Sequence, residues 1–171
     1  VTDSLPAIAL GLEKAENNIM NRLPRNPRKS LFADGLWGKI TTEGVMIGML
    51  TLVAFSIGNN LYSIEVGRTM AFLSLGILEL VHSFNIKGEE SILKTGLFEN
   101  RYLVGAFVLG TLLQVVVVVI SPLAQIFDVV PLNSVQWLMT AIISILPVVI
   151  VELQKKFNAY KFGKVVYARS I

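Results

Sequence analysis

The 171-residue sequence contains no cysteine and a single histidine, His82. Disulfide bonds and thiolate–metal centres are therefore excluded, and no cluster of histidines is available to hold zinc. Charged residues are also scarce: Asp, Glu, Lys and Arg make up 16% of the chain, against about a quarter in soluble domains. The sequence has no phosphate-binding glycine loop, dinucleotide fingerprint or G-x-S-x-G motif, so it carries no recognisable soluble-enzyme site.

Hydrophobic residues, in contrast, make up 53% of the chain. They gather in four runs that approach or reach the roughly 20 residues that a bilayer-spanning helix needs. The runs are Thr42 to Leu61, Val66 to Ile86, Tyr102 to Ser121 and Trp137 to Leu153, the last with a kink predicted at Pro147. The opening segment, Val1 to Leu12, is too short to span. We therefore predict an all-α membrane protein in which a half-helix is followed by four transmembrane helices.

Positive charges are distributed unequally between the two ends of these spans. Segments between successive spans lie alternately on the two sides of the membrane. Counted in this way, 14 of the 15 Lys and Arg residues lie on one side of the membrane and Arg68 alone lies on the other. The positive-inside rule places the side that is rich in Lys and Arg, together with the C-terminus, in the cytoplasm. The predicted division is residues 1–12 as half of a broken helix, 13–41 as a cytoplasmic loop, 42–153 as a four-helix bundle and 154–171 as a cytoplasmic tail.

The same distribution bears on partners and location. We expect an integral protein of the plasma membrane (the inner membrane of a bacterium), with the lipid bilayer as its surroundings. Residues 122–136 form the predicted external loop, which holds a short interfacial helix. Nucleic acid is not an expected partner, because the basic residues flank the spans instead of forming one face interleaved with aromatic residues.

The opening stretch combines a hydroxyl, a carboxylate and a proline at the head of an apolar run: Thr2, Asp3 and Pro6. A proline cannot bond the carbonyl four residues earlier, so it frees backbone oxygen. Carboxylate, hydroxyl and carbonyl oxygens together are the ligands of hard cations, and a broken helix with an acid at the break is a recurring device of transporters. The alternative is that Asp3 only caps a short helix.

A second acid, Glu79, lies deep in the second span. It follows Arg68 by 11 residues, which is about 16 Å along a helix, and a carboxylate at that depth is costly unless it faces a polar cavity. His82 and Ser83 share its helix face and are expected to support the ligands without touching the cation, His82 as a partner or a proton carrier. For Glu79 the alternative is a structural hydrogen bond to a neighbouring helix or a permanently protonated acid, and for His82 it is packing between helices.

Three further acids lie at span ends, where headgroup water is within reach. We interpret these as interfacial: Glu43, Glu65 and Glu152. Gly44 and Gly48 form a G-x-x-x-G pair in the first span, which predicts close helix packing.

The order of these features resembles the C-terminal transmembrane region of P-type cation-transporting ATPases of the calcium-pump type. Val1 to Gly11 resembles their sixth membrane helix, and Asn18 to Pro27 resembles the cytoplasmic loop after it. Glu79 with Ser83-Phe84-Asn85 is similar to the eighth helix. Leu97 to Arg101 resembles the loop before the ninth helix, and Gln136-Trp137-Leu138 resembles the start of the tenth.

The resemblance implies that Thr2, Asp3 and Glu79 are cation ligands, that calcium is the transported ion, and that Gly44 and Gly48 pack on a fifth helix outside this chain. It also implies that ATP and magnesium bind to parent-pump domains that these 171 residues do not include. The partners would then be the remaining helices and cytoplasmic domains of the pump, and we expect further sequence before Val1. The alternative is a multi-pass scaffold or accessory subunit whose buried acids serve helix packing.

Overall fold

The computed structural model describes residues 4–13, 36–86 and 100–168, with side chains described as far as residue 156. These residues form six α-helices, numbered here in chain order. They are α1 Ser4–Gly11, α2 Leu36–Leu61, α3 Ile64–Ile86, α4 Arg101–Val119, α5 Ser121–Ile126 and α6 Ser134–Ala168. Every regular element in the described ranges is helical, which confirms the all-α prediction.

Three of the described helices are long and apolar enough to cross a membrane: α2, α4 and the Ser134–Lys156 part of α6. They correspond to the first, third and fourth predicted spans, although α4 ends at Val119 and not at the predicted Ser121. The second predicted span forms α3, which is the central helix, because it packs against α2, α4, α6 and α1. Twelve of its 23 residues are buried, so α3 is shielded mainly by its neighbouring helices.

Two helices extend beyond the apolar runs that predicted them. α2 begins at Leu36, ahead of the predicted Thr42, and α6 continues past Leu153 to Ala168. Hydropathy marks only the part of a helix that lies among apolar surroundings. Backbone hydrogen bonds continue the helix through polar residues, so the end of the predicted loop and most of the predicted tail are helical. Residues 14–35, which make up most of the predicted loop, lie outside the described residues.

The turn between α2 and α3 brings two helix backbones into direct contact. Only Tyr62 and Ser63 separate the helices, and this end of the bundle is called the hairpin end below. A Cβ atom added at Gly58 would lie 2.6 Å from the Cα of Gly67. Small residues permit this close approach, so the backbones of α2 and α3 meet at Gly58 and Gly67.

The predicted external loop is tied to the start of α3 at the hairpin end. It contains α5, in agreement with the prediction of a short helix there. Arg68 forms an ion pair with Asp128, and the backbone N–H of Val130 donates to the Thr69 hydroxyl at 2.9 Å. These two contacts hold the loop against the central helix.

The opposite end of the bundle joins α1 to α4 through one side chain. Asn100 caps α4, since its Oδ1 accepts a hydrogen bond from the backbone N–H of Leu103 at 3.0 Å. Its Nδ2 donates to the backbone oxygen of Ala9 at 2.9 Å and to the Glu13 carboxylate. Asn100 is buried, so this amide fixes the end of α1 against the start of α4.

The start of α6 is set by a reciprocal pair of hydrogen bonds. The N–H of Asn133 donates to Gln136 Oε1 at 2.8 Å, and the N–H of Gln136 donates to Asn133 Oδ1 at 2.9 Å. This is the arrangement of a capping box, in which each side chain satisfies a helix-terminal donor. Buried Thr140 and Ser144 follow on the same face, and their hydroxyls donate to backbone oxygens four residues earlier.

Candidate cation site

A cavity of about 240 Å³ lies between α1, α2 and α3 at the end opposite the hairpin. It is large enough for several water molecules, since one water occupies about 30 Å³ of the liquid. Its lining residues are Pro6, Ala7 and Leu10 from α1, Ile47 from α2, and Glu79, His82, Ser83 and Ile86 from α3. The fold therefore brings the proline of the opening segment to the same cavity as the three predicted polar residues of α3.

Helix geometry explains why three polar side chains of α3 share this cavity. Positions three and four residues apart lie on one helix face, so Glu79, His82 and Ser83 point to the same side. Glu79 is partly buried. The Ser83 hydroxyl donates to the backbone oxygen of Leu80 at 2.6 Å. Because that bond uses only its proton, the Ser83 oxygen retains acceptor capacity.

A carboxylate from α2 meets this group of side chains. The Nε2 atom of His82 lies 3.2 Å from Oε2 of Glu43, and the other Glu43 oxygen lies 3.9 Å from the Lys39 ammonium. The sequence grouped Glu43 with the interfacial acids, and its proximity to His82 was not anticipated. The two residues are 39 positions apart, and no local pattern pairs them, so only the packing of α2 on α3 reveals the contact.

Buried polar atoms continue from His82 along α3. His82 Nδ1 and both side-chain polar atoms of Asn85 are buried without a hydrogen-bond partner among the described residues. The Lys155 ammonium of α6 donates to the backbone oxygen of Asn85 at 3.3 Å. Buried polar groups are normally satisfied by protein or water, so this row is a place where ordered water is expected.

The other predicted ligands, Thr2 and Asp3, lie outside the described residues. Pro6, which follows them in the sequence, is buried in the first turn of α1 and lines the cavity. Within the described ranges, no group of three or more His, Asp or Glu side chains is arranged to hold a metal ion. The described part of the cavity therefore offers one carboxylate, Glu79, and a complete cation site would need ligands from elsewhere.

The predicted glycine pair, Gly44 and Gly48, lies on a face of α2 that makes no close contact with the other described helices. Cβ atoms added at Gly44 and Gly48 would have nothing within 4 Å, and the neighbouring Val45, Met49 and Leu52 are exposed. Their packing against a further helix stays a prediction, because the contacts described for α2 do not use this face.

Comparison with known proteins identifies the family. The family described as "Cation transporting ATPase, C-terminus" matches residues 1–157. The chain belongs to this family. Calcium-transporting ATPase 1 of Bacillus cereus is 36% identical over 173 residues, which cover 91% of this chain and 19% of that protein. The calcium-transporting ATPase of Bacillus subtilis is 36% identical over 149 residues, which cover 86% of this chain and 17% of that protein.

This cation-ATPase segment spans less than a fifth of the length of those curated relatives. The match confirms the resemblance inferred from the sequence, which is to the C-terminal region of P-type calcium ATPases. With three described helices long and apolar enough to cross a bilayer, it is part of an integral membrane protein.

Proposed function

We propose that this chain is the C-terminal membrane segment of an ATP-driven calcium pump and supplies part of its intramembrane cation site. Asp3, Thr2 and Glu79 are the proposed ligands, and the bundle of α2, α3, α4 and α6 supports them. The observation that carries the proposal is the cavity, because it joins Glu79 to the Pro6 turn of the opening segment. Calcium favours oxygen ligands of this kind, and the relatives are named as calcium-transporting ATPases.

The role of each side chain follows from its chemistry. The Glu79 carboxylate contributes charge from α3, and Asp3 and Thr2 contribute oxygen atoms from the opening segment. His82 and Ser83 support the wall of the cavity. Ser83 does so by closing a hydrogen bond to its own helix, and His82 by its contact with Glu43 on α2.

The proposal extends to orientation and partners. The end opposite the hairpin, with the C-terminus, would face the cytoplasm, since the basic residues cluster there. The membrane would be the plasma membrane. The proposed division stays 1–12, 13–41, 42–153 and 154–171 as regions relative to the membrane, although α2 and α6 cross the 41/42 and 153/154 boundaries. The rest of the pump would provide ATP and magnesium binding, the remaining membrane helices, and a fifth helix against Gly44 and Gly48.

The test is made on the complete pump that contains this segment. Asp3→Asn and Glu79→Gln keep the side-chain size but remove the charge that a hard cation needs. The measurement is phosphoenzyme formation from ATP as a function of calcium concentration. We expect the half-saturating calcium concentration to rise at least about tenfold in each variant, since loss of one charged contact costs about 1.4 kcal/mol or more.

Glu65→Gln is the matched control. Glu65 is on the same helix as Glu79, at the exposed hairpin end, so the same chemical change there should leave calcium activation as in the wild type. Wild-type calcium activation in both Asp3→Asn and Glu79→Gln would contradict the proposed site and favour a scaffold role for the segment.

A further inference from the structure

Two interlocking contacts join α3 to α4 beside Glu79. A Cβ atom added at Gly76 would lie 2.0 Å from Nε2 and 2.7 Å from Cδ of Gln114, so the Gln114 amide fills the space that a side chain on Gly76 would take. The second contact is the converse, because a Cβ atom added at Gly110 of α4 would lie 2.8 Å from both Cδ atoms of Leu80 on α3. Each helix therefore has one notch at a glycine and one side chain that fills the notch of the other helix.

The spacing of the two contacts fixes the height of α3 relative to α4. The notch and the filling side chain are four positions apart on each helix, and they follow each other in opposite directions along the two helices. The contacts are therefore about 6 Å apart along the bundle. Sliding one helix past the other by a single residue, about 1.5 Å, would take both side chains out of their notches at once.

The Gln114 side chain is held in its notch by fit. Gln114 is buried, and its Oε1 atom has no hydrogen-bond partner among the described residues. Buried polar groups are normally partnered, so this oxygen gains nothing from the position that the side chain occupies. The contact with Gly76 is what joins Gln114 to α3.

The height of α3 decides where the Glu79 carboxylate lies. Glu79 is three positions after Gly76 on the same helix, and residues at this spacing are neighbours on the helix surface. Glu79 faces the cavity that Pro6 of α1 also lines. Because calcium is bound by oxygen at 2.3–2.6 Å, a displacement of α3 by about 1 Å would move the carboxylate out of the distance range of a ligand.

We propose that Gln114 and Gly76 are positioning residues of the cation site, since the Gln114 amide in the Gly76 notch sets the height of α3 and thereby places the Glu79 carboxylate at the cavity. The inference rests on the proposed cation site. Neither residue is among the described residues that line the cavity, so both act through α3 and do not bind the cation.

The experiment uses the complete pump and two readouts. They are the half-saturating calcium concentration of phosphoenzyme formation from ATP and the amount of phosphoenzyme at saturating calcium. Gly76→Ala puts a methyl group into the space of the Gln114 amide. We expect it to raise the half-saturating calcium concentration at least about threefold while the amount at saturating calcium stays close to that of the wild type, whereas a general folding defect would lower that amount.

Three further variants test the fit between the two residues. Gln114→Ala empties the notch and should cause a similar rise. Gln114→Met has a side chain of similar length and should lie nearer to the wild type than Gln114→Ala does. The double variant Gly76→Ala/Gln114→Ala removes the clash and places a methyl group in the notch, so its calcium activation should be nearer to that of the wild type than either single variant. Gly105→Ala is the matched control, because a Cβ atom added at this position of α4 has nothing within 4 Å.

Combination with Glu79→Gln tests whether the interlock acts through that carboxylate. In the Glu79→Gln background, Gly76→Ala should raise the half-saturating calcium concentration by less than it does in the wild type, because the displaced ligand is already lost. An equal rise in both backgrounds would overturn the positioning role.

The outcomes also separate the two proposals. Wild-type calcium activation in folded Gly76→Ala and Gln114→Ala, with activation weakened in Glu79→Gln, would overturn the positioning role alone. A loss in Gln114→Met as large as that in Gln114→Ala would overturn it as well, because fit would then not explain the effect. Unchanged calcium activation in Glu79→Gln would instead overturn the cation site on which the inference rests.

Discussion

Replacing Gly58 by alanine should force α2 and α3 apart. The added Cβ would lie 2.6 Å from the Cα of Gly67 and 2.9 Å from its backbone nitrogen. Carbon atoms pack best at about 3.5–4.0 Å, so the two helices must separate by about 1 Å. The obstructing atoms are backbone and cannot rotate away.

This displacement sets the size of the stability loss expected for Gly58→Ala. A gap of 0.5–1 Å forfeits roughly a quarter to a half of the dispersion energy of the atoms involved, and overpacking of this kind costs about 1–3 kcal/mol. Van der Waals packing is a main source of helix association in a membrane, so we expect the upper half of that range. Because alanine itself favours helix by up to about 1 kcal/mol over glycine, the variant must be compared with another glycine replacement in the same helix.

Gly44→Ala and Gly48→Ala provide that comparison. Both are in α2, both receive the same gain in helix propensity, and an added Cβ at either would have nothing within 4 Å. The assay is unfolding of the purified 171-residue chain in mixed micelles by titration with a denaturing detergent, followed by helical circular dichroism. Gly58→Ala should unfold at a clearly lower detergent fraction than the two controls, and unfolding of all three at the same fraction would refute the argument.

Two further predictions concern the contacts of Asn100 and the face of Gly48. Asn100→Ala should lower stability by about 1–2 kcal/mol in the same assay, through loss of the helix cap. Asn100→Asp keeps the acceptor for Leu103 but loses the donor to Ala9 and brings a second carboxylate against Glu13, so it should also be less stable than the wild type; equal stability of all three would contradict the role of Asn100. Gly48→Leu should leave the unfolding of the isolated chain near that of Gly48→Ala yet lower the yield of the assembled complete pump, measured by gel filtration. Normal assembly would argue against a helix packed on this face.

Local sequence patterns predicted most of the architecture. Apolar runs located all four long helices, since the need to satisfy backbone hydrogen bonds in lipid leaves helix as the form for such runs. The short helix α5 was also expected. Helix ends were less predictable, as α2 and α6 show, because hydropathy reports the surroundings of a residue rather than its backbone conformation.

Part of the candidate site was also predictable. Glu79, His82 and Ser83 were singled out because polar groups are costly inside a membrane helix, and helix periodicity alone put them on one face. The structure adds that this face looks onto the cavity lined by Pro6. Thr2 and Asp3 were selected on the same chemical grounds and lie outside the described residues.

The amino-acid sequence by itself determined which segments are helical and which polar residues lie within them, because both follow from the local order of side chains. Only the tertiary structure decided which helix faces meet. Three contacts join residues on different helices: Glu43 with His82, Asn100 with Ala9 and Gly58 with Gly67. Such contacts depend on how each helix is rotated and how closely it approaches its neighbour, and these quantities are set by the packing of the whole bundle.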